Sequence, residues 1–359
     1  MRIAFDGRCL NTPHLRGMGK MAYELLRESA NHPDVDFVVL GDEPRAPVQV
    51  PSGARVVTRT WETKGHRFRA WEQFSLPRTA RRLDCDVLHC TGTWCPWWQP
   101  VPLVVTVHDT LPWVEEQGSL YLNHALPAAY KRANAIITVS ENSKRDIAAR
   151  WPALADKIAV IPHGIHPRYL VPRFDPIASE LEAAGVRTPY LLYFGGEVAR
   201  KRPEWAVEVW KRLNRPDLSL VLCGLVEPTA PRWKEQLPSH LRDRLTCLGF
   251  VPEHSLPALY AHAEAVLYPT LYEGFGLPAL EAQAVGTPVL MTDGGSLREL
   301  AGPGAIVLPG HDMSAWVDAA RGVLTQGKPS ATARAWASGF SWKAAFTKTL
   351  DVYRAAAAA

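Results

Sequence analysis

Short apolar runs alternate with longer amphipathic segments from one end of this chain to the other. That alternation restricts the fold severely, because parallel strands need a long crossover between them and a helix is the usual one. The predicted class is α/β, with helices wound around parallel sheets. In the first half the strand candidates are Arg2 to Phe5, Asp36 to Leu40, Arg55 to Val57, Asp86 to Leu88, Leu103 to Val107, Ala135 to Val139 and Ile158 to Ile161. From Arg173 to Pro189 the pattern lapses into a proline-bearing stretch, read as a linker with a short helix. A second series follows at Tyr190 to Phe194, Ser219 to Cys223, Leu245 to Cys247, Ala265 to Tyr268, Pro288 to Met291 and Ala305 to Leu308. Two Rossmann-like domains are expected, 1–172 and 173–340, followed by a C-terminal helix over 341–359. In open sheets of this type ligands bind beyond the carboxyl ends of the strands, so a facing pair would place a small-molecule site in an interdomain cleft.

With 47% apolar and 21% charged residues in 359, the chain is not of the disordered class. No run approaches the ~20 apolar residues of a membrane span, and charged residues at Arg2 and Asp6 interrupt any secretory core, so a cytoplasmic location is expected. The six cysteines form no C-x-x-C pair and read as reduced thiols. The net charge of +4 lies wholly in the first half: Met1 to Leu170 holds 21 Lys/Arg against 17 Asp/Glu. So small a surplus argues against nucleic acid and fits an anionic ligand or membrane surface at least as well.

Chemistry concentrates at Tyr268-Pro-Thr-Leu-Tyr-Glu273-Gly274-Phe275-Gly276-Leu277-Pro278-Ala-Leu-Glu281, where an apolar strand enters a two-glycine turn and a helix leaves it. Backbone N–H groups of Gly274 to Leu277, with the positive end of the helix dipole, suit a phosphate. Glu273 and Glu281 stand eight positions apart around the turn. Carboxylates accept paired hydrogen bonds from vicinal hydroxyls, which suits a sugar on each side of a diphosphate. Taken alone, the pair reads first as a helix cap, Glu273, and a solvated face residue, Glu281. After the strand Tyr190 to Phe194 comes Gly195-Gly196-Glu197-Val198-Ala199-Arg200-Lys201-Arg202-Pro203. Fixed cations here would stabilise a departing diphosphate more than the ground state. A lone basic turn is otherwise a solvated surface.

The run from Glu273 to Glu281 resembles the signature of the retaining glycosyltransferases of family 4, whose donor site carries E-x7-E inside E-G-F-G-L-P-x-x-E. The resemblance implies the GT-B fold, the nucleotide sugar held mainly by the second domain, and a terminal helix packing back toward the first. It implies that Glu281 holds the ribose, Glu273 the transferred sugar, and Gly274, Phe275, Gly276 and Leu277 the phosphate side. Arg200 and Lys201 match the family's R-K-N, with Arg202 in place of Asn, so the letters leave open which cations reach the diphosphate. His108, in the His108-Asp109 that ends the strand Leu103 to Val107, is implied to lie over the donor sugar, with Asp109 orienting the loop. Gly17 and Gly19 precede the predicted helix Met21 to Ala30 and match a family G-x-G; no three-glycine Rossmann spacing is present. The likeness extends through Trp71 to Pro77, Asp86 to His89, Thr138 to Asp146 and Val160 to Ile165, where His163-Gly164 replaces the Asn-Gly common in relatives. Ser140 reads first as a helix cap.

The acceptor side is marked by Trp94, Trp97 and Trp98, with Trp61, Trp71, Arg67 and Arg69 upstream. Aromatic rings stack on sugars, anchor proteins at membrane interfaces, or simply pack in cores. By resemblance the partners are a nucleotide sugar donor and a glycan or lipid-linked acceptor, with peripheral contact to the inner membrane. The expected reaction is retaining hexosyl transfer without a metal or cofactor beyond the nucleoside diphosphate sugar, since no Asp-x-Asp stands in a suitable loop. GDP-mannose is the first choice of donor and a UDP-sugar the alternative. A nucleotide-sugar epimerase or phosphorylase of the same architecture, and a non-catalytic sugar-binding protein, are the rival readings.

Overall fold

The computed structural model describes residues 1–12, 14–41, 49–51, 55–58, 70–115, 119–171, 173–226, 232–235, 237–328 and 330–359. Trp61, Arg67 and Arg69 lie outside the described residues. The chain divides into two units, Met1–Gly164 with Ser341–Ala359, and Ile165–Phe340.

The first unit is built on β1 (Arg2–Asp6), β2 (Asp36–Gly41), β3 (Arg55–Thr58), β4 (Val87–Cys90), β5 (Leu103–Thr106), β6 (Ala135–Thr138) and β7 (Ile158–Val160). They form one parallel sheet in the order β3-β2-β1-β4-β5-β6-β7, with Ala4 opposite Val38 on one side and Leu88 on the other. Helices cover both faces, so the strands read as unbroken apolar runs. Alternation within β1 sends Ile3 and Phe5 to one face, against Met21, Leu25, Phe346 and Leu350. Ala4 goes to the other, against a layer containing Trp71, Leu76, Trp113 and Tyr130. The terminal helix Trp342–Ala358 is locked to the sheet by a buried polar link, in which His89 of β4 bonds Tyr353 Oη at 2.6 Å and Thr106 Oγ1 at 2.8 Å. The alanine run thus continues that helix.

The second unit contains β8 (Tyr190–Phe194), β9 (Ser219–Cys223), β10 (Leu245–Leu248), β11 (Ala265–Tyr268), β12 (Val289–Met291) and β13 (Ala305–Val307), in the order β10-β9-β8-β11-β12-β13, again all parallel. Helices Pro203–Leu213 and Met313–Gln326 pack Val209, Trp210 and Trp316 on one face, beside Leu191, Tyr193 and Leu220. The unit begins at Ile165, eight residues before the Arg173 expected from the lapse in pattern. The Ile165 N–H donates to Phe340 O at 2.9 Å and Tyr169 is buried against Tyr260, contacts that composition does not reveal. The stretch after Arg173 holds one short helix, Ser179–Ala183. Among the described residues no helix is long and apolar enough to cross a membrane.

Candidate active site

In the second unit, β8 and β11 are neighbours while β9 follows β8 on its other side. At such a switch in strand order, successive loops diverge and leave a crevice at the carboxyl edge. Both chemical motifs are placed there. Their loops are stitched together by the Leu271 N–H, which donates to Arg200 O at 2.8 Å. Arg200 Nη1 donates to Tyr272 O at 2.9 Å and lies 3.4 Å from Glu273 Oε1. Lys201 Nζ donates to the same Glu273 oxygen and sits 3.4 Å from Tyr268 Oη. Two cations therefore converge on one partly buried carboxylate. The Glu273 backbone is held as firmly: its carbonyl accepts the Ser296 N–H and Oγ–H, both at 3.0 Å.

Arg202 does not join them. It adopts φ +55°, ψ +54°, a left-handed conformation that asparagine tolerates better than most residues. Its guanidinium stacks 3.8 Å from the Trp205 ring and donates to Gly310 O at 2.5 Å. Backbone geometry thus separates the three cations, sending Arg202 to Gly310 while Arg200 and Lys201 meet Glu273.

The turn ends at Gly276, whose φ of +100° suits only glycine and whose absent Cβ would lie 2.6 Å from Leu297 Cδ2. Helix Leu277–Ala284 then begins, with Pro278 in its first turn, where a missing N–H leaves no bond unmade. Phe275 is largely buried, its ring 6.3 Å from Phe340, so its side chain is a packing element. Glu281 is only 3% exposed rather than a solvated face residue. Burial raises the phenol pKa values of Tyr169 and Tyr260, and the Glu281 charge raises them further. Neither tyrosine carries a local sequence signal, since they reach Glu281 from segments far away in the chain.

In the first unit, His108 follows β5, and its Nε2–H donates to Thr91 O at 3.0 Å, leaving Nδ1 the basic atom of the neutral ring. Burial holds its pKa below the usual histidine value. The loop is fixed by Ser143 Oγ–H donating to His108 O at 2.9 Å and by Asp109 accepting the Leu111 N–H at 3.0 Å. Ser140 caps helix Glu141–Arg150 by accepting the Ser143 N–H at 3.0 Å. His163 packs between His108 and Trp342, at ring distances of 5.8 and 5.4 Å.

The two N-terminal glycines require a correction. The helix starts at Gly17, not Met21, so both glycines lie in its first turn rather than in a loop before it. A Cβ on Gly19 would stand 2.7 Å from Cys9 O, so this glycine admits close packing, whereas Gly17 faces open space. Glycine's poor helix propensity is overridden by that contact.

A further cluster in the first unit escaped sequence reading. Arg8 donates to Asp6 through Nε at 3.0 Å and Nη2 at 2.6 Å, and to Glu72 through Nη1 at 3.1 Å. Glu72 also accepts from Tyr121 Oη at 2.7 Å, and Arg8 lies 5.1 Å from the Trp71 ring. Asp6-x-Arg8 is visible after β1, but Glu72 is 64 positions away with no pattern to join them. Among the described residues no three His, Cys, Asp or Glu side chains are grouped as a metal site.

Comparison with known proteins agrees with this architecture. Residues 15–169 match the family described as Glycosyltransferase Family 4, and residues 180–337 match Glycosyl transferases group 1. The chain is 31% identical to O-antigen chain mannosyltransferase B of Escherichia coli, over 70% of each sequence. It is 30% identical to D-inositol 3-phosphate glycosyltransferase of Xylanimonas cellulosilytica, over 70% of this chain and 66% of that one. In fold it is similar to the Anabaena protein HepE solved with UDP-glucose, at a TM-score of 0.74, 18% identity and coverage of 98% and 99%. Sucrose-phosphate synthase of Thermosynechococcus elongatus gives a TM-score of 0.73 at 20% identity, covering 98% of both chains. The chain belongs to the family 4 and group 1 glycosyltransferases and has the GT-B fold.

Proposed function

We propose that the protein is a retaining hexosyltransferase that moves mannose from GDP-mannose to a hydroxyl of a glycan or lipid-linked acceptor in the cytoplasm. The observation that carries this reading is the convergence of Arg200 and Lys201 on Glu273 beside the Gly274 to Leu277 turn. In the ground state Glu273 holds the two cations in place. A bound diphosphate would share them, and as the bond from the anomeric carbon to the diphosphate oxygen breaks, their attraction to that oxygen grows. The acceptor oxygen forms its bond on the same face, and its proton passes to the departing diphosphate oxygen. Glu273 takes the hydroxyls of the transferred sugar, Glu281 the ribose, and the turn amides the phosphates. His108 is assigned to the transferred sugar, with Nδ1 as acceptor. No step calls on a metal or further cofactor.

Support for mannose comes from relatives named as mannosyltransferases, the Escherichia coli protein and the MMP alpha-(1->4)-mannosyltransferase of Mycolicibacterium hassiacum, the latter 29% identical over 62% of this chain and 57% of its own. The fold neighbour solved with UDP-glucose keeps a UDP-sugar as the second reading. Melting curves with GDP, UDP and their sugars test the donor, since a ligand at 100 times its Kd stabilises by about 2.7 kcal/mol. A larger shift with GDP-mannose, GDP release undiminished by a chelator, and an α-linked product by proton NMR are expected. Equal shifts with GDP and UDP would defeat the donor choice, and an inverted product would defeat retention.

A further inference from the structure

The turn that carries Glu273 is gripped from outside its own segment. Strand β12 lies beside β11 in the second sheet, so the loop that leaves β12, Thr292 to Ser296, runs along the loop that leaves β11. Thr292 Oγ1–H donates to Thr270 O. Gly295 forms an isolated parallel bridge with Glu273 at a φ of +65°, and a Cβ there would stand 2.3 Å from Glu273 O, so only glycine permits the approach. That approach sets Ser296, 1% exposed, directly against the turn.

Ser296 addresses two carbonyls of the turn at once. Its N–H donates to Glu273 O at 3.0 Å, and its one hydroxyl proton is shared between Phe275 O at 2.8 Å and Glu273 O at 3.0 Å. The backbone N–H alone would satisfy the Glu273 carbonyl. The hydroxyl adds a second bond there and ties the Phe275 carbonyl to the same point.

A trans peptide holds its C=O and N–H pointing in opposite directions. The Glu273 carbonyl shares its plane with the Gly274 N–H, and the Phe275 carbonyl shares its plane with the Gly276 N–H. Drawing both carbonyls to one hydroxyl therefore directs both N–H groups away from Ser296. A carbonyl that accepts a hydrogen bond also polarises its peptide, which makes the N–H of that plane a stronger donor. We propose that Ser296 is a positioning residue: through the carbonyls of Glu273 and Phe275 it aims and strengthens the Gly274 and Gly276 N–H groups for a diphosphate. The inference rests on the reading of this turn as the phosphate side of the donor site. No local pattern announces it, since Ser296 stands 23 positions from Glu273.

The test is calorimetric titration of the full chain with GDP and UDP and, as phosphate-free controls, with guanosine and uridine. Ser296→Ala keeps the backbone N–H and removes only the hydroxyl. It should weaken binding of the preferred nucleoside diphosphate about ten-fold and leave the matching nucleoside unchanged, because base and ribose contacts do not pass through these amides. Donor turnover should fall at least as far, since the amides meet more negative charge as the diphosphate departs. Ser296→Cys, close in size but a weaker donor, should fall between wild type and alanine, and it carries the test if the alanine variant does not fold. Wild-type affinity for the nucleoside diphosphate in the tested variant overturns the proposal. So does an equal loss for diphosphate and nucleoside, which would leave Ser296 a structural residue. Lys201→Ala separates this from failure of the donor reading. Weakened diphosphate binding in Lys201→Ala with none in Ser296→Ala refutes the role of Ser296 alone. If Lys201→Ala binds as wild type does, or wild type binds neither diphosphate, the phosphate site falls and the inference with it.

Discussion

The two units share a parallel sheet and a switch in strand order beside their first strand, yet they treat charge at that place in opposite ways. In the second unit two cations, Arg200 and Lys201, share one carboxylate, Glu273. In the first, one cation, Arg8, is shared by two carboxylates, Asp6 and Glu72, which are almost wholly buried. The first arrangement carries surplus positive charge beside a glycine turn and a helix start, and can still accept an anion. The second is closed: its guanidinium is used within the protein, so it serves the architecture. The shared strand order therefore says where a ligand could bind, and under the proposed function the local charge balance marks the second unit's crevice for a diphosphate.

The sharpest way to break this contrast is to remove Arg8. Arg8→Met leaves Asp6 and Glu72 buried without their partner and should cost about 3–5 kcal/mol of stability in urea denaturation. Wild-type stability in that variant would mean that the cluster is not a structural lock. Lys201→Ala should do the reverse, lowering nucleoside diphosphate release by about 100- to 1000-fold while the melting temperature stays nearly constant. A stability loss with intact turnover would place Lys201 with Arg8 instead.

A smaller effect concerns His89, whose pKa burial pushes down to about 3. Between its unfolded value of about 6.5 and that folded value, the unfolded chain binds a proton that the folded one does not, so stability falls as pH falls. About 2 kcal/mol should be lost between pH 7.5 and pH 5. His89→Gln should flatten this slope in melts run across that range, and an unchanged slope would remove His89 as its source.

Much of the architecture could be read from letters. Strands such as Leu103–Thr106 and Tyr190–Phe194 are short, apolar and bounded by turn residues, because burial on both sheet faces leaves no room for polar alternation. The Glu273 to Glu281 run was legible for a related reason: a tight turn, a helix start and two carboxylates all fall within nine consecutive residues. Contacts between distant segments were not legible. Tyr169 and Tyr260 beside Glu281, Glu72 beside Arg8, and the start of the second unit at Ile165 all depend on pairings with no local pattern. The helix start at Gly17 was missed because a packing contact with Cys9 outweighed propensity.

By itself, then, the amino-acid order determined the parallel α/β class, the position of the glycine turn and the supply of carboxylates and cations around it, since each depends on neighbours in the chain. Only the tertiary structure decided how that supply is distributed: Arg200 and Lys201 to Glu273, Arg202 away to Gly310, and Arg8 into the interior. The reason is that charge pairing acts through distance in space, and the chain sets that distance only after its sheets have been assembled.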